Sequence, residues 1–262
     1  MTLSKHLKLG ISALCVCAAT LVHAADGPAL YVYSTIDALL AGAYDGDLTV
    51  KQLSAKGNFG IGTYNHLNGE MVVLDGVYYH VKADGSVTVA DPAERVPLAY
   101  VLPFKPTESF SLAGVATLPA IEALADQRAT NSNMFYAFEI KGRFTDISTR
   151  AISSQVRPYR PLAEVAKTQS VFKRESVTGT LVGIRSPALS KGISVPGYHW
   201  HFISDDKKFG GHVLSIGSAD GVARLALVSH LDIDLPTTDD FAKADQAKDR
   251  AAELRKVEGN QH

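Results

Sequence analysis

Cysteine is almost absent from this sequence. Only Cys15 and Cys17 occur among its 262 residues, and both lie close to the N-terminus. If that terminus is removed during export, the mature chain holds no cysteine at all. This excludes disulfides, thiolate metal sites, cysteine nucleophiles and redox-active dithiols from the mature protein.

The N-terminal segment has the layout of a secretory signal peptide. Lys5 and Lys8 form a short positive region, an apolar stretch covers residues 9–22, and Val22-His23-Ala24 places small or branched side chains before a cleavage point. We therefore predict a cleaved signal peptide at residues 1–24. The mature protein is then exported and is periplasmic or extracellular.

A strong charge of one sign and long internal hydrophobic runs are also missing. The formal net charge is -1, and the basic residues form no patch or arm of the kind that binds nucleic acid. Beyond the N-terminal segment there is no run of about 18 apolar residues. We expect a small-molecule substrate, no nucleic-acid partner and no membrane span after signal cleavage. A homodimer is compatible with these features.

What the sequence does contain is a succession of short strand-like segments separated by turns. Asn68-Gly69, Asp75-Gly76 and Asp84-Gly85 are strong hairpin signals and predict a meander of four short strands between about residues 58 and 90. Elsewhere the patterns predict a short helix from an N-cap at Ser34 to about Leu40, a helix over 118–128, two strands within 134–150, a short helix over 161–167, a strand over 171–184, further strands in 198–231 and a polar helix or tail over 237–258.

These elements predict an α+β (mixed α/β) fold, dominated by antiparallel and mixed β-sheets, with few helices. A chain of this length buries a core without disulfides or other staples. We divide the mature chain into two sheet-rich parts. The N-terminal part covers residues 25–170, and the C-terminal part, 171–262, carries a candidate metal site and a C-terminal tail.

Three of the nine histidines lie close together in the sequence, within residues 198–212. His199 and His201 are two residues apart, so on a strand they project from the same face. Ser204 to Lys208 and the following Gly210-Gly211 indicate a hairpin. If that hairpin is symmetric about residues 206 and 207, His212 lies opposite His201 on the same face. A bulge at the two glycines would shift this register by one residue.

Three converging imidazoles are typical of a zinc site, and three protein nitrogens leave coordination positions open for chemistry. A zinc ion held in this way either lowers the pKa of a bound water or polarises the oxygen atoms of a substrate. The spacing of the histidines does not decide between the two.

The sequence resembles the bacterial alpha-acetolactate decarboxylase family. The resemblance runs through most of the mature chain and is sharpest where His199-Trp200-His201-Phe202-Ile203-Ser204 is followed by Gly210-Gly211-His212-Val213-Leu214. It also covers Tyr33 to Leu40, Gly60 to Thr63, Leu67 to Met71, and Ile140 to Phe144 leading to Arg150. Asn68 departs from the family's usual Asp, at a turn where we expect no effect on chemistry.

The resemblance implies a carbon–carbon lyase that converts 2-acetolactate to acetoin and carbon dioxide through a metal-stabilised enediolate. It implies Zn²⁺ on His199, His201 and His212, with carboxylates matching Glu70 and Glu258 reaching the metal. It also implies catalytic roles for Glu70, Glu258 and an arginine matching Arg150. Glu253 competes with Glu258 for the C-terminal position.

Two other functions fit the histidine pattern. A zinc hydratase or hydrolase would hold a hydroxide on the three histidines and would not need Arg150, whereas decarboxylation of an anionic substrate would. A non-enzymatic metal-binding or sugar-binding module would show no pocket beside the metal and no turnover of any β-keto acid. His66 and His80, on the predicted meander, are interpreted as structural or exposed.

Overall fold

The computed structural model describes residues 27–258. The predicted signal peptide, 1–24, lies outside the described residues, and the export that it implies stays a prediction. Within the described part of the chain, no helix is long and apolar enough to cross a membrane. The predicted homodimer and the division of the chain at residue 170 also stay predictions.

Strands make up most of the regular structure. In chain order they are β1 (Ala29–Tyr33), β2 (Leu48–Thr49), β3 (Phe59–Thr63), β4 (Glu70–Leu74), β5 (Val77–Val81), β6 (Val87–Val89), β7 (Arg95–Val96), β8 (Leu98–Leu102), β9 (Glu108–Ala116), β10 (Phe135–Ala151), β11 (Ser170–Ser186), β12 (Gly197–Ser204), β13 (Gly210–Ser215), β14 (Ser218–Val228) and β15 (His230–Asp234).

The helices between residues 27 and 258 are short. They are α1 (Ile36–Leu40), α2 (Val50–Ser54), α3 (Leu118–Asp126), α4 (Leu162–Val165), α5 (Asp239–Lys243) and α6 (Ala251–Glu258). The predicted fold class, α+β with a predominance of antiparallel and mixed sheets, is confirmed.

The first large sheet has the strand order β15-β1-β8-β3-β4-β5-β6. Only the β1–β15 pair is parallel. The consecutive strands β3 to β6 form the predicted four-stranded meander. Asp75 and Gly76 make the two-residue turn between β4 and β5, with φ of 51° and 80°, as a type I′ turn requires. Asn68-Gly69 instead ends a longer connection that contains a 3₁₀ turn at Asn65–Leu67.

The second large sheet has the order β11-β12-β13-β10-β14-β9. An additional β10–β11 pairing joins β10, β11, β12 and β13 into a closed ring. The prediction of two strands within 134–150 is wrong, because β10 is one strand of 17 residues. Gly142 lies within this strand rather than in a turn, since an added Cβ would lie 2.1 Å from the Asp220 carbonyl oxygen on β14. The strand bends at Asp146, where φ is 47°, and changes its partner from β14 to β13.

The two large sheets share a hydrophobic core. Alternate side chains of β1 face two different hydrophobic clusters, one on each side of the first sheet. Leu30 and Val32 belong to the core that also contains Val182 and Ile203 of the second sheet, whereas Tyr31 and its neighbours face a separate cluster covered by α2. A third cluster fills the space between the far face of the second sheet and α3. A side chain on the shared face of either sheet therefore points toward the other sheet.

Two helix predictions need correction. The N-cap of α1 is Thr35, whose hydroxyl accepts a hydrogen bond from the Ala38 amide, because Ser34 adopts a left-handed backbone with φ of 70°. The polar segment 237–258 forms two separate helices, α5 and α6. The predicted helix at 118–128 is confirmed as α3.

Candidate metal centre

Strand β12 directs His199 and His201 toward the shared core. The intervening Trp200 packs on the opposite face, in the cluster beneath α3, together with Phe202. Gly183 of β11 pairs with Trp200 and leaves room for its indole, since a Cβ there would lie 2.1 Å from that ring. The alternation predicted from the sequence is confirmed, and bulky packing behind the strand fixes the orientation of the two histidines.

The hairpin places His212 of β13 directly opposite His201 of β12. Phe202 pairs with Gly211, and Ile203 with Gly210, so the two glycines do not shift the register between these strands. The three imidazole centroids are 4.9 to 5.4 Å apart. One potential ligand atom from each histidine lies within 4.8 Å of those of the other two. The predicted convergence of three histidines is confirmed.

Burial disfavours the charged form of all three imidazoles. Burial lowers the pKa of His199 to about 3, with the nearby Arg150 guanidinium as the second cause. Burial likewise lowers the pKa of His201 to about 3 and holds that of His212 well below its usual range. The Nδ1–H of His201 donates to the Met71 carbonyl at 2.8 Å, which leaves its Nε2 lone pair facing the site.

Two carboxylates complete the inner face of the site. Glu70 begins β4, and its Oε2 lies 3.6 Å from His201 Nε2. Glu258 ends α6, and its Oε2 lies 3.5 Å from His199 Nε2 and 3.6 Å from His212 Nε2. Burial raises the pKa of Glu70 to about 8, opposed by the charge of Arg150 and reinforced by that of Glu258. A cation among the histidines would pull this pKa down.

Arg150 lies beside the histidines because β10 pairs with β13, with Arg150 opposite His212. Its Nη2 is 3.2 Å from Glu258 Oε1. Its Nη1 donates to the Val257 carbonyl at 2.8 Å and to Gln169 Oε1 at 3.0 Å. Its Nε is buried and has no partner. The guanidinium thus holds the end of α6 and keeps one donor unused.

The three histidines, Glu70, Glu258 and Arg150 therefore line one pocket in the core between the two large sheets. The family model for alpha-acetolactate decarboxylase matches residues 30–248. The chain belongs to the alpha-acetolactate decarboxylase family. The matched residues include the three histidines, Glu70 and Arg150, whereas α6 and Glu258 lie beyond them.

Individual relatives agree with this family assignment. The chain is 43% identical to the alpha-acetolactate decarboxylase of Methanosarcina mazei, over 87% of this chain and 80% of the relative. It is 36% identical to that of Klebsiella aerogenes, over 94% and 98%. The crystal structure of alpha-acetolactate decarboxylase from Bacillus subtilis strain 168 superposes with a TM-score of 0.86 at 35% identity, covering 88% of this chain and 99% of that one.

The family resemblance inferred from the sequence is confirmed, as is the prediction that the chain is an enzyme of the carbon–carbon lyase class. The structure also separates the two C-terminal candidates. Glu253 points away from the pocket and pairs with Lys248 and Arg250, each at 2.6 Å. Glu258 is the glutamate of α6 that lines the pocket.

Most of the remaining pocket wall was not predicted from sequence. The space between the lining residues is about 410 Å³, open solvent included. Apart from Gly62 and the buried Thr63, the other lining residues are apolar or aromatic. They are Ile36, Leu39, Leu67, Leu98, Tyr100, Ile152 and Leu162. No local pattern distinguishes these side chains from ordinary core residues.

The donor set fits a divalent metal ion. Tetrahedral zinc with bonds of 2.0–2.1 Å places neighbouring ligand atoms roughly 3.3–3.4 Å apart. One nitrogen of each histidine lies within 4.8 Å of those of the other two, and carboxylate oxygens of Glu258 and Glu70 lie 3.5–3.6 Å from His199 Nε2 and His201 Nε2. His201 Nε2 and Glu258 Oε2 are buried without a hydrogen-bond partner. A cation would satisfy both atoms.

Proposed function

We propose that this protein decarboxylates 2-acetolactate to acetoin and carbon dioxide, and that Zn²⁺ bound by His199, His201 and His212 is its cofactor. The observation that carries the proposal is the convergence of neutral imidazoles, carboxylates and a buried arginine in one pocket. The relatives named above are alpha-acetolactate decarboxylases, which supplies the substrate. Glu70 and Glu258 are the additional candidate ligands.

The substrate contains its own electron sink. Breaking the bond between its carboxylate carbon and C2 releases carbon dioxide and moves the electron pair toward the neighbouring ketone. The singly charged enediolate that remains keeps its hydroxyl proton and takes one proton at C2 to give acetoin. A bound metal would supply the Lewis acidity that stabilises negative charge on the two substrate oxygens. No pyridoxal or thiamine cofactor is needed for this step.

Arg150 binds and orients the anionic substrate. Arg150 lines the pocket, and its buried Nε has no hydrogen-bond partner, while Val257, Gln169 and Glu258 hold its other nitrogens. A guanidinium fixed in this way offers a directed, charge-assisted hydrogen bond to the carboxylate or to the developing enediolate. A lysine ammonium has neither the planar geometry nor these anchors.

Glu70 and Glu258 are placed to deliver the proton that C2 of the substrate takes up. Both carboxylates line the pocket, on opposite elements of the fold. Burial favours the protonated form of Glu70 and a bound cation would favour the ionised form, so this carboxyl group is placed to release and take up a proton beside the substrate. Delivery from one fixed carboxyl group would place that proton on one face of the enediolate and set the configuration of acetoin.

The apolar wall matches the rest of the substrate. The two methyl groups of 2-acetolactate need apolar contacts, which Leu67, Ile152 and Leu162 provide. These residues also exclude water from the site, and electrostatic stabilisation is stronger in the absence of water.

The first test is acetoin production from racemic 2-acetolactate by the purified mature protein, before and after chelation. We expect acetoin formation that chelation abolishes and added zinc restores, and that is absent in His201→Ala. His230→Ala is the matched control, because His230 lies on β15 outside the pocket. A zinc-loaded protein that makes no acetoin would exclude the decarboxylase function.

Substitution of Arg150 separates decarboxylation from hydration or hydrolysis by a zinc-bound hydroxide. We expect Arg150→Ala to lower kcat/KM by at least about 100-fold, since a buried charged hydrogen bond contributes on the order of 3 kcal/mol. Arg150→Lys should recover little of that loss. If both variants bind zinc and retain full activity, Arg150 has no role in the reaction.

A further inference from the structure

The two residues that precede Glu70 are held by side chains from neighbouring strands. The Thr63 hydroxyl donates to the Gly69 carbonyl at 2.7 Å. His80 Nε2 lies 2.6 Å from the Asn68 carbonyl oxygen. Because a carbonyl can only accept, this nitrogen of His80 carries the proton. Both carbonyls of the Asn68-Gly69 segment are therefore fixed immediately before the carboxylate that enters the pocket.

His80 is itself locked in place. It is 1% exposed, and its ring stacks on Tyr64 at 4.0 Å between centroids. Its Nδ1 lies 3.1 Å from Glu94 Oε1 and donates to that oxygen when both ring nitrogens carry a proton. The second oxygen of Glu94 accepts a hydrogen bond from the Asp91 amide at 2.9 Å. A chain of contacts thus runs from the Asp91–Glu94 turn through His80 to the backbone at Asn68.

The Asn68-Gly69 segment packs closely against β5 and is hydrogen-bonded to the chain that follows β10. Gly69 has φ of 75°, and a Cβ there would lie 2.2 Å from the Val81 carbonyl oxygen. Its amide donates to the Ile152 carbonyl at 2.8 Å. On the other side of Glu70, the Met71 carbonyl accepts the hydrogen bond from His201. The backbone on both sides of Glu70 is held, on one side by His80 and on the other by a histidine of the metal site.

We propose that His80, oriented by Glu94, is a positioning residue that sets the Glu70 carboxylate against the three histidines of the metal centre. The inference rests on the proposed function. His80 does not line the pocket, so it acts only through the Asn68-Gly69 backbone. A displacement of about 1 Å in a reacting group can cost on the order of 100-fold in rate. A small shift of the backbone before Glu70 should therefore lower the rate of the reaction.

The test compares two substitutions of His80. His80→Leu removes the donor to Asn68, whereas His80→Gln keeps an N–H donor near the position of Nε2. We expect His80→Leu to lower kcat by about 10- to 100-fold, the usual cost of losing an outer hydrogen-bond partner of a metal site. KM should change by less than about threefold, because substrate contacts remain. His80→Gln should recover most of the lost kcat.

Tyr78→Phe is the matched control. Tyr78 lies on β5 two residues before His80, and its buried hydroxyl donates to the Leu53 and Gly57 carbonyls, away from Glu70. We expect its loss to lower the melting temperature without lowering kcat. If His80→Leu keeps kcat within twofold of wild type, or if His80→Gln and Tyr78→Phe lose as much kcat as His80→Leu, the positioning role is refuted.

Zinc affinity, measured by competition with a chromogenic chelator and no substrate, provides a second readout. We expect His80→Leu to weaken zinc binding by about tenfold or more, because Glu70 is a candidate ligand, and Tyr78→Phe to leave it unchanged. If His80→Leu and Tyr78→Phe bind zinc with equal affinity, the positioning role of His80 is contradicted even when wild-type protein makes acetoin. Wild-type protein that makes no acetoin refutes the proposed function instead, and the zinc comparison then decides on His80 alone.

Discussion

At the scale of single residues, burial decides which groups near β12 are charged. The three histidines on the inner face of the β12–β13 hairpin have lowered pKa values because their rings are removed from water. On its outer face the same effect acts on an acid. Burial raises the pKa of Glu122 to about 7, although Trp200 Nε1–H donates to its carboxylate at 3.1 Å and favours the ionised form.

This shift makes the stability of the protein depend on pH. Glu122 has a folded-state pKa near 7 and an ordinary value of 4.5. Between these values the folded state binds the proton more tightly, so the contribution of Glu122 to stability is full below about pH 4.5 and is lost as the pH rises to 7. We expect Glu122→Gln to reduce the loss of stability between pH 5 and pH 8, measured by urea unfolding.

Two further measurements isolate the effect. Trp200 is the only tryptophan of the chain, so its fluorescence should titrate with a midpoint near pH 7 in wild type and not in Glu122→Gln. Glu175→Gln, at an exposed position on β11, controls for the loss of one negative charge. Parallel stability profiles for wild type and Glu122→Gln would show that Glu122 is ionised throughout.

At the scale of elements, local sequence patterns correctly predicted the hairpin that carries the histidines. They failed for strands whose length depends on contacts with neighbouring strands. The β12–β13 hairpin was predictable because its register depends on a short turn and on alternation within a dozen residues. The length of β10 was not, since Gly142 resembles a strand break and is explained only by the closeness of Asp220 on β14. The four-stranded meander β3 to β6 was also predicted from local turn signals, of which Asp75-Gly76 forms a two-residue turn and Asn68-Gly69 ends a longer connection.

Helix α6 carries Glu258 into the pocket. Val257 is its only buried residue, and Arg150 contacts both the Val257 carbonyl and Glu258. We expect Val257→Ser to free the helix end, because burial of a valine contributes about 1.5–3 kcal/mol. Activity should fall by up to about 30-fold for a loss of 2 kcal/mol. Amide exchange at 251–258 should accelerate while exchange in β10 and β12 stays unchanged.

Arg255→Ser provides the comparison on the same helix, since Arg255 is exposed and should affect neither activity nor exchange. Accelerated exchange in Val257→Ser with undiminished acetoin formation would mean that Glu258 need not be docked for catalysis.

At the scale of the whole molecule, the site joins parts of the chain that are far apart in sequence. Met71 and His201 are 130 positions apart, and Arg150 and Glu258 are 108 apart. No periodicity connects such residues, so Glu70, Arg150 and Glu258 were inferred from the family resemblance, and the apolar lining was not inferred at all. The fold brings them together because the inner faces of both sheets share one core.

A metal bound between the two sheets should therefore stabilise the entire fold. Three imidazoles and two carboxylates from β4, β12, β13 and α6 would be linked by one ion, which binds the folded state in preference to the unfolded chain. At a free zinc concentration about 100 times the Kd, this linkage contributes about 2.7 kcal/mol. For a chain of this size we expect the melting temperature to rise by about 5–10 °C relative to chelated protein.

The variants of the site determine where that stabilisation originates. Differential scanning calorimetry of His201→Ala should show almost no zinc-dependent shift, because one of the three imidazoles is missing, whereas His230→Ala should shift like wild type. The shift should also grow with zinc concentration, as mass action requires. A zinc-dependent rise of equal size in His201→Ala would place the metal outside the β12–β13 hairpin, and the histidines would then need another explanation for their burial without charge.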